Sequence, residues 1–225
     1  MLVQSAPAQE TISFSPGYLR AKRVLDIALT LLLLPFVGLV MIVVALLIRL
    51  DSEGPILFRQ KRVGQDGVEF ELLKFRSMYV NNDDASHRAA IEQFMNGEAI
   101  NNNTRTLNRY KLGTDQRITR VGKFIRKTSL DELPQFFNVL RGEMSLVGPR
   151  PPVPYEVEHY GLRDRLRLSG KPGLTGTWQV YGRSRVSFKE MIEMDISYLQ
   201  EQSLLLDCKL ILLTVPVMLL GRGGA

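Results

Sequence analysis

The chain is poor in the residues that build the commonest metal and redox sites. Of its 225 residues, one is cysteine and two are histidine. The single cysteine, Cys208, excludes an intramolecular disulfide, and with two histidines it provides no cluster with the spacing of zinc ligands. The composition therefore indicates a reducing compartment, and any metal would be bound by oxygen ligands.

Several nucleotide-binding and metal-binding motifs are absent as well. The sequence contains no Walker A loop, no G-x-G-x-x-G, no HExxH and no Asp-x-Asp. P-loop, Rossmann and zincin interpretations are therefore unsupported. A two-domain glycosyltransferase of the Asp-x-Asp type also fits poorly, since the chain is too short for two full nucleotide-binding domains.

Acidic residues are in the minority. Twenty-nine Lys and Arg against 23 Asp and Glu give a net charge of +6 and a pI near 9.5. This balance suits nucleic acid, anionic lipid or a phosphorylated small molecule as a partner, and the charge alone does not choose among them.

One segment is long and apolar enough to enter a membrane. The 22 residues from Ile27 to Ile48 carry no charge, and a helix of that length covers roughly 30 Å. Pro35 lies near its middle and predicts a kink, while basic residues flank both ends. Because a spanning helix is expected to have asymmetric flanking charge, this pattern favours a re-entrant helix-break-helix over residues 20–50 with both ends in the cytoplasm. A single span kinked at Pro35 is the alternative.

The chain divides around this segment into a flexible tail, residues 1–19, and a domain, residues 51–225. Partial apolar alternation over Ile56–Arg62 and Val68–Phe75, with a glycine-containing turn between them, predicts a β-hairpin. The polar stretch 81–113 has no assigned role.

Two further segments have an amphipathic or broken apolar character. Between Arg105 and Lys127 the chain carries eight basic residues and one acid. A helix on an anionic membrane surface and a solvated basic face over a core-packing stripe both explain this pattern. Its few aromatic residues offer no stacking platform for nucleic acid. The segment Ser203–Leu220, broken by charges and a proline, predicts a core or interfacial helix.

The stretch TSLDELPQ, residues 128–135, places Asp131 and Glu132 side by side after a basic run. One interpretation is a capping box, with Ser129 and Glu132 satisfying amides at a helix N-terminus. In the other, the helix dipole keeps Asp131 ionised as a nucleophile or Mg²⁺ ligand, with cations nearby for a phosphoryl group. These cations are Arg120, Arg126 and Lys127.

Arg150 lies between two prolines downstream, in Gly148-Pro-Arg-Pro151. The restricted backbone would hold its guanidinium for a bidentate phosphate contact. A stiff surface turn with an exposed arginine is the alternative.

A series of motifs resembles the bacterial sugar transferase family, the monotopic polyprenyl-phosphate phosphoglycosyl transferases. The resemblance covers about residues 20 to 222. The motifs are KRVLD (22–26), GPILFRQ (54–60), RVG (62–64), KFRSM (74–78), TSLDELPQFFNVLRGEMSLVGPRP (128–151), KPGLTG (171–176) and WQVYGR (178–183).

The resemblance implies an α+β fold, with a small and mainly helical catalytic domain, a β-hairpin, a re-entrant membrane helix and interfacial amphipathic helices. It implies an enzyme of the bacterial inner membrane, with the catalytic domain and both termini on the cytoplasmic face. The implied substrates are a UDP-sugar and undecaprenyl phosphate, with Mg²⁺ as cofactor, UMP as product and membrane lipids as surroundings. A homodimer is left open, and no nucleic acid is expected.

The resemblance also assigns residues. Asp131 becomes the nucleophile that carries the phosphosugar, and Glu132 its partner in metal binding or acceptor activation. Phosphate or nucleotide contacts fall to Arg126, Pro149, Arg150, Lys74, Arg76, Arg120, Gln179 and Arg183. One departure concerns Pro35, which follows Leu34 where many relatives carry serine, so no hydroxyl is available for the carbonyl that the proline frees. The competing function is a membrane-tethered module that binds nucleic acid or anionic lipid, without releasing UMP.

Overall fold

The computed structural model describes residues 11–80, 92–95, 117–182 and 186–219. Apart from a helical turn over 92–95, the polar stretch 81–113 lies outside these residues. The architecture is α+β, as expected. In chain order the elements are α1 (Pro16–Asp51), β1 (Leu57–Val63), β2 (Glu69–Phe75), α2 (Arg120–Lys127), α3 (Gln135–Arg141), β3 (Ser145–Val147), α4 (Pro154–Glu158), β4 (Gly173–Thr175), α5 (Phe188–Glu201) and α6 (Leu204–Leu219).

Helix α1 contains the apolar segment and is much longer than that segment. Its 36 residues begin with Pro16, whose fixed φ suits the first helical turn, and correspond to about 54 Å. Within the described residues it is the one helix long and apolar enough to cross a membrane. Pro35 lies inside the helix without ending it, because a proline removes a single backbone hydrogen bond. The exposed side chains of its middle are apolar, among them Leu32, Phe36, Leu39 and Ile42.

A polar stripe on the N-terminal half of α1 docks the helix onto the domain. Lys22 is buried and forms a 2.8 Å ion pair with Asp207 of α6, which also accepts a 2.6 Å hydrogen bond from the Tyr198 hydroxyl. One helical turn later, the Asp26 carboxylate accepts a hydrogen bond from the Leu146 amide of β3 at 3.0 Å. Buried groups of this kind must be paired, so these contacts fix the position of α1 against three other elements.

The β-hairpin predicted from the alternating pattern is confirmed. Strands β1 and β2 are antiparallel, with Leu57 opposite Phe75 and Val63 opposite Glu69. Gly67, with φ +81°, and Asp66, with φ +56°, form the turn between them. Leu72 and Phe75 of β2, which point to opposite faces of the strand, both belong to the hydrophobic core.

The basic segment forms α2, which confirms its helical part from Arg120 onward. The Thr119 hydroxyl accepts a hydrogen bond from the Gly122 amide at the N-terminus, at 2.9 Å. The Asp51 carboxylate, at the end of α1, accepts another from the Val121 amide at 3.0 Å. An acid beside these free amides also complements the helix dipole, so the end of α1 and the start of α2 stabilise each other.

Two of the family-like motifs meet in a short parallel pairing. Strand β3 precedes Gly148 and pairs with β4, which begins at Gly173. A Cβ on Gly148 would lie 2.3 Å from the Lys171 carbonyl oxygen, and one on Gly173 would lie 2.0 Å from the Gly148 nitrogen. Only glycine allows the two backbones to approach this closely.

We expect Gly148→Ala to destabilise the protein by at least ~2 kcal/mol, because its Cβ would collide with backbone atoms that cannot rotate away. The midpoint of thermal unfolding in detergent should fall by about 5 °C or more. Gly161→Ala is the matched control, since its added Cβ would come no closer than 3.5 Å to the nearest atom, Asp164 Oδ2. Equal melting temperatures for the two variants would contradict the close contact.

Candidate active site

The segment that carries the two acids is not a capping box, and that interpretation is wrong. Ser129 has a left-handed backbone, with φ +57°, and its side chain caps no amide. Asp131 and Glu132 belong to a 3₁₀ turn, Leu130–Glu132, and the α-helix begins at Gln135. The two carboxylates therefore precede α3 and do not lie in its first turn, where the helix dipole would act on them. The 3₁₀ turn lies between α2 and α3.

Glu132 is paired with a lysine from the hairpin. The Lys74 ammonium, on β2, donates to Glu132 Oε1 at 2.8 Å. Burial would raise the pKa of Glu132, but the charge and hydrogen bond of Lys74 outweigh it, and the pKa is lowered. Arg62 and Arg150 add to this lowering. Glu132 is therefore the acid that the surrounding cations keep ionised.

Asp131 behaves in the opposite way. Burial raises its pKa to about 6 and the adjacent Glu132 charge adds to the rise, while Lys74 and Arg126 oppose it. The expectation that a helix dipole lowers this pKa is thus corrected, because the loss of hydration dominates. Asp131 is nonetheless partly exposed. Neighbouring acids with pKa values driven apart are typical of sites that use two carboxylates for two tasks.

The electrostatic neighbourhood of the acids brings together residues distant in sequence. Lys74 and Arg126 both lower the pKa of Asp131, and Arg150 lowers that of Glu132. These three belonged to the predicted set. Arg62, which also acts on Glu132, was missed as a site residue, although it stands in the RVG motif. The partial apolar alternation around Arg62 predicted a strand, but it did not indicate which side chains of that strand would face the interior.

The Pro149–Arg150 segment is held firmly beside this cluster. The Arg150 guanidinium donates to both Glu156 carboxylate oxygens, at 3.1 and 3.2 Å. It also lies 6.0 Å from the centre of the Trp178 ring, at the start of the π-helical turn Trp178–Gly182. The Pro149 carbonyl accepts a hydrogen bond from the Gly173 amide at 2.9 Å. The stiff-turn interpretation of this segment is incomplete, since Arg150 is largely buried.

Other predicted residues occupy different surroundings. The Arg76 guanidinium is bound to the Ser52 and Glu53 carbonyls, both at 2.7 Å, just beyond the end of α1. Arg120 is exposed at the first position of α2, and Gln179 lies in the π-helical turn. Arg183 lies outside the described residues. The structure thus groups Lys74, Arg126 and Arg150 about the acids, whereas Arg76 binds the chain just after the end of α1.

The carboxylates at Asp131 and Glu132 suit a magnesium ion only if a substrate supplies further ligands. The described part of the chain holds no cluster of three or more Asp, Glu, His or Cys side chains that could form a complete protein cage. Mg²⁺ commonly binds through one or two carboxylates, with the phosphate oxygens of a substrate supplying other ligands. Asp131 and Glu132 provide that minimal set, so they fit an ion bound together with a diphosphate.

Comparison with known proteins identifies the family. The model of the bacterial sugar transferase family matches residues 17–221. The chain therefore belongs to this family and is a transferase. A galactosyl transferase, CpsE of Streptococcus agalactiae, is 46% identical over 209 residues, which cover 92% of this chain and 44% of that protein.

Two relatives overlap with the chain more evenly. The exopolysaccharide production protein ExoY of Sinorhizobium fredii is 40% identical over 216 residues, covering 96% of this chain and 93% of the relative. A UDP-glucose:undecaprenyl-phosphate glucose-1-phosphate transferase of Caulobacter vibrioides is 39% identical over 206 residues, covering 88% and 69%. The chain thus spans less than half of CpsE and nearly all of ExoY.

The opposite pKa shifts of the two acids predict opposite effects on stability. At pH 7.5, Asp131→Asn should raise the midpoint of thermal unfolding, on the order of 3 °C, because it removes a charge that the native protein accommodates poorly. The gain should shrink as pH falls through about 6, where native Asp131 takes up its proton, and vanish near 4.

Glu132→Gln is the matched variant and should lower the same midpoint at pH 7.5, because the ionised Glu132 is stabilised by Lys74. Its loss should begin to shrink as pH falls below about 4.5, where the unfolded Glu132 takes up a proton, and should end only below the lowered pKa of the native carboxyl. Melting curves of both variants between pH 4 and 8 test the pair. Shifts of the same sign at pH 7.5 would contradict the assignment.

Proposed function

We propose that the chain transfers a sugar 1-phosphate from a UDP-sugar to undecaprenyl phosphate, with release of UMP. The name of the Caulobacter relative, a UDP-glucose:undecaprenyl-phosphate glucose-1-phosphate transferase, describes this reaction for that protein. The observation that carries the proposal is the partly exposed Asp131, with its pKa of about 6, beside an ionised Glu132 and among cations. At such a site one carboxylate can approach an anionic phosphate, because the nearby cations offset the negative charge of both groups.

The two steps of the reaction are assigned to Asp131. A carboxylate oxygen of Asp131 attacks the β-phosphorus of the donor, an Asp131–phosphorus bond forms, and the bond to UMP breaks. A phosphate oxygen of undecaprenyl phosphate then attacks the same phosphorus and releases Asp131. With a pKa of about 6, Asp131 is about nine-tenths ionised at pH 7, so it needs no separate base.

The remaining residues serve charge and position. Lys74, Arg126 and Arg150 would offset the charge that develops on the phosphoryl oxygens. Glu132 would assist metal binding or the acceptor. A Mg²⁺ ion held by Asp131, Glu132 and the donor diphosphate would supply further neutralisation of that charge.

The proposed location is the cytoplasmic face of the bacterial inner membrane. Helix α1 would enter the bilayer and return, with Pro35 at the bend, because basic residues flank its apolar segment on both sides. Exposed apolar side chains on α2 and α6, such as Phe124, Leu205 and Leu212, would lie at the lipid interface. Membrane lipids would thus cover surfaces that the described part of the domain leaves exposed.

Asp131 and Glu132 are expected to differ in a single-turnover experiment. With UDP-sugar and Mg²⁺ but no lipid acceptor, the wild-type protein should release up to one equivalent of UMP and gain the mass of a phosphosugar. Asp131→Asn should lose both signals because it lacks the nucleophilic oxygen. Glu132→Gln should keep some adduct while slowing turnover severely. The measurements are UMP release, with a panel of UDP-sugars, and intact-protein mass.

Two outcomes would overturn the covalent mechanism: an adduct on Asp131→Asn, or UMP that appears only when acceptor is present. Either result would favour direct transfer at a metal site. Salt-sensitive DNA binding without UMP release from any UDP-sugar would favour the tethered binding module instead.

The membrane topology is tested by fusing a compartment-sensitive reporter to either terminus. Both fusions should report the cytoplasm if α1 returns to the face from which it enters. Signals on opposite sides would contradict the re-entrant arrangement. Pro35→Leu should straighten α1 and move part of the population toward a spanning topology, and Leu34→Ala, with Pro35 intact, is the matched control.

A further inference from the structure

Four consecutive carbonyl groups hold the segment that carries Arg150. Prolines lack an N–H donor, so this proline-rich stretch offers mainly carbonyl oxygens for anchoring. The carbonyls of Pro149, Arg150, Pro151 and Pro152 accept hydrogen bonds, in that order, from the Gly173 amide (2.9 Å), the Arg167 guanidinium (3.0 Å), the Arg62 guanidinium (2.9 Å) and the Val63 amide (2.9 Å). The donors come from three parts of the chain, residues 62–63, 167 and 173, so three separate segments hold this stretch.

The donor to Arg150 is itself an unusual group. The Arg167 side chain is fully buried, and its ion-pair partner Asp195, on α5, is 1% exposed. Arg167 also donates to the Tyr160 hydroxyl at 2.7 Å. Removing two charges from water is expensive, and an apolar pair of similar volume is often as stable or more so. Stability alone therefore gives a weak reason for an arginine at this position.

The other end of Arg150 is held by a second buried acid. The Glu156 side chain is 2% exposed and accepts from Arg150 Nη1 with both carboxylate oxygens. Arg150 is thus held at its carbonyl by Arg167 and at its guanidinium by Glu156. Together, Arg150, Glu156, Arg167 and Asp195 carry two positive and two negative charges, so the group is neutral as a whole.

We propose that Arg167, Asp195 and Glu156 are positioning residues that orient Arg150 toward the diphosphate of the donor. They act through Arg150 and contact no substrate. The proposal rests on the proposed function for its substrate. A guanidinium that is already held in place loses little conformational entropy when the diphosphate binds. Less of the binding free energy is therefore lost in ordering the side chain.

The test compares variants of the full chain in detergent. Arg167→Met with Asp195→Leu removes the buried pair together, leaving no uncompensated charge. Glu156→Gln keeps the shape of the side chain and removes its charge, and Arg150→Lys is the benchmark for loss of the guanidinium. The matched control is Arg163→Gln with Glu193→Gln, because this exposed pair, with a 2.8 Å contact, links neighbouring positions of the same two parts of the chain.

Two readouts separate positioning from a general structural role. The KM for UDP-sugar should rise about tenfold in the buried-pair variant and in Arg150→Lys, and about fivefold in Glu156→Gln, with kcat changed less. Inorganic pyrophosphate should raise the melting temperature of the wild-type protein and of the control, and should do so less in all three other variants.

The inference is overturned if the folded buried-pair variant keeps the wild-type KM and pyrophosphate response. If that variant does not fold, Glu156→Gln decides: unchanged or tighter pyrophosphate binding would show that Glu156 does not orient Arg150 for the anion. Failure of the proposed function is a separate result. A wild-type protein that releases no UMP from any UDP-sugar would refute that function, while the pyrophosphate arm would still test the role of the buried cluster.

Discussion

The ion pair between Lys74 and Glu132 is the interaction on which the arrangement of the candidate site depends. It joins the hairpin to the turn that carries the acids, two parts of the chain separated by 58 residues. Without it, Asp131 and Glu132 would be two adjacent carboxylates with similar surroundings. Lys74 donates its hydrogen bond to Glu132 and thereby lowers the pKa of that acid, whereas burial raises the pKa of Asp131. The chemical difference between the acids is therefore a tertiary effect.

This dependence explains which features the sequence predicted well. The apolar segment of α1 and the hairpin follow from local patterns, hydrophobic length and alternation around a turn, and both are present. The helical part of the basic segment likewise follows from its 3.6-residue period. Such features need only contacts between residues that are near in sequence.

The features that local patterns missed depend on distant contacts or on unusual backbone. The serine that begins an apparent capping box adopts a left-handed conformation, so Ser129 cannot cap. Among the described residues a capping box occurs at the start of α5, where Ser187 is the N-cap and Glu190 is its partner. Motif resemblance placed Arg76 and Arg150 in the same category, whereas the fold separates them: Arg76 binds the chain at the end of α1, and Arg150 lies near the acids. Sequence spacing alone carries no information about that difference.

Two of the buried ion pairs among the described residues lie at places where one arrangement is needed. Lys22 and Asp207 hold α1 against the domain, and Arg167 and Asp195 pack against the segment of Arg150. Apolar contacts would stabilise either junction, yet they would tolerate small rotations and shifts, since they have little directional preference. Charged hydrogen bonds require particular partners and angles. The proposed transfer from a soluble donor to a lipid acceptor would need both kinds of precision, because the anchor would set the distance to the membrane and the phosphate site would set the line of attack.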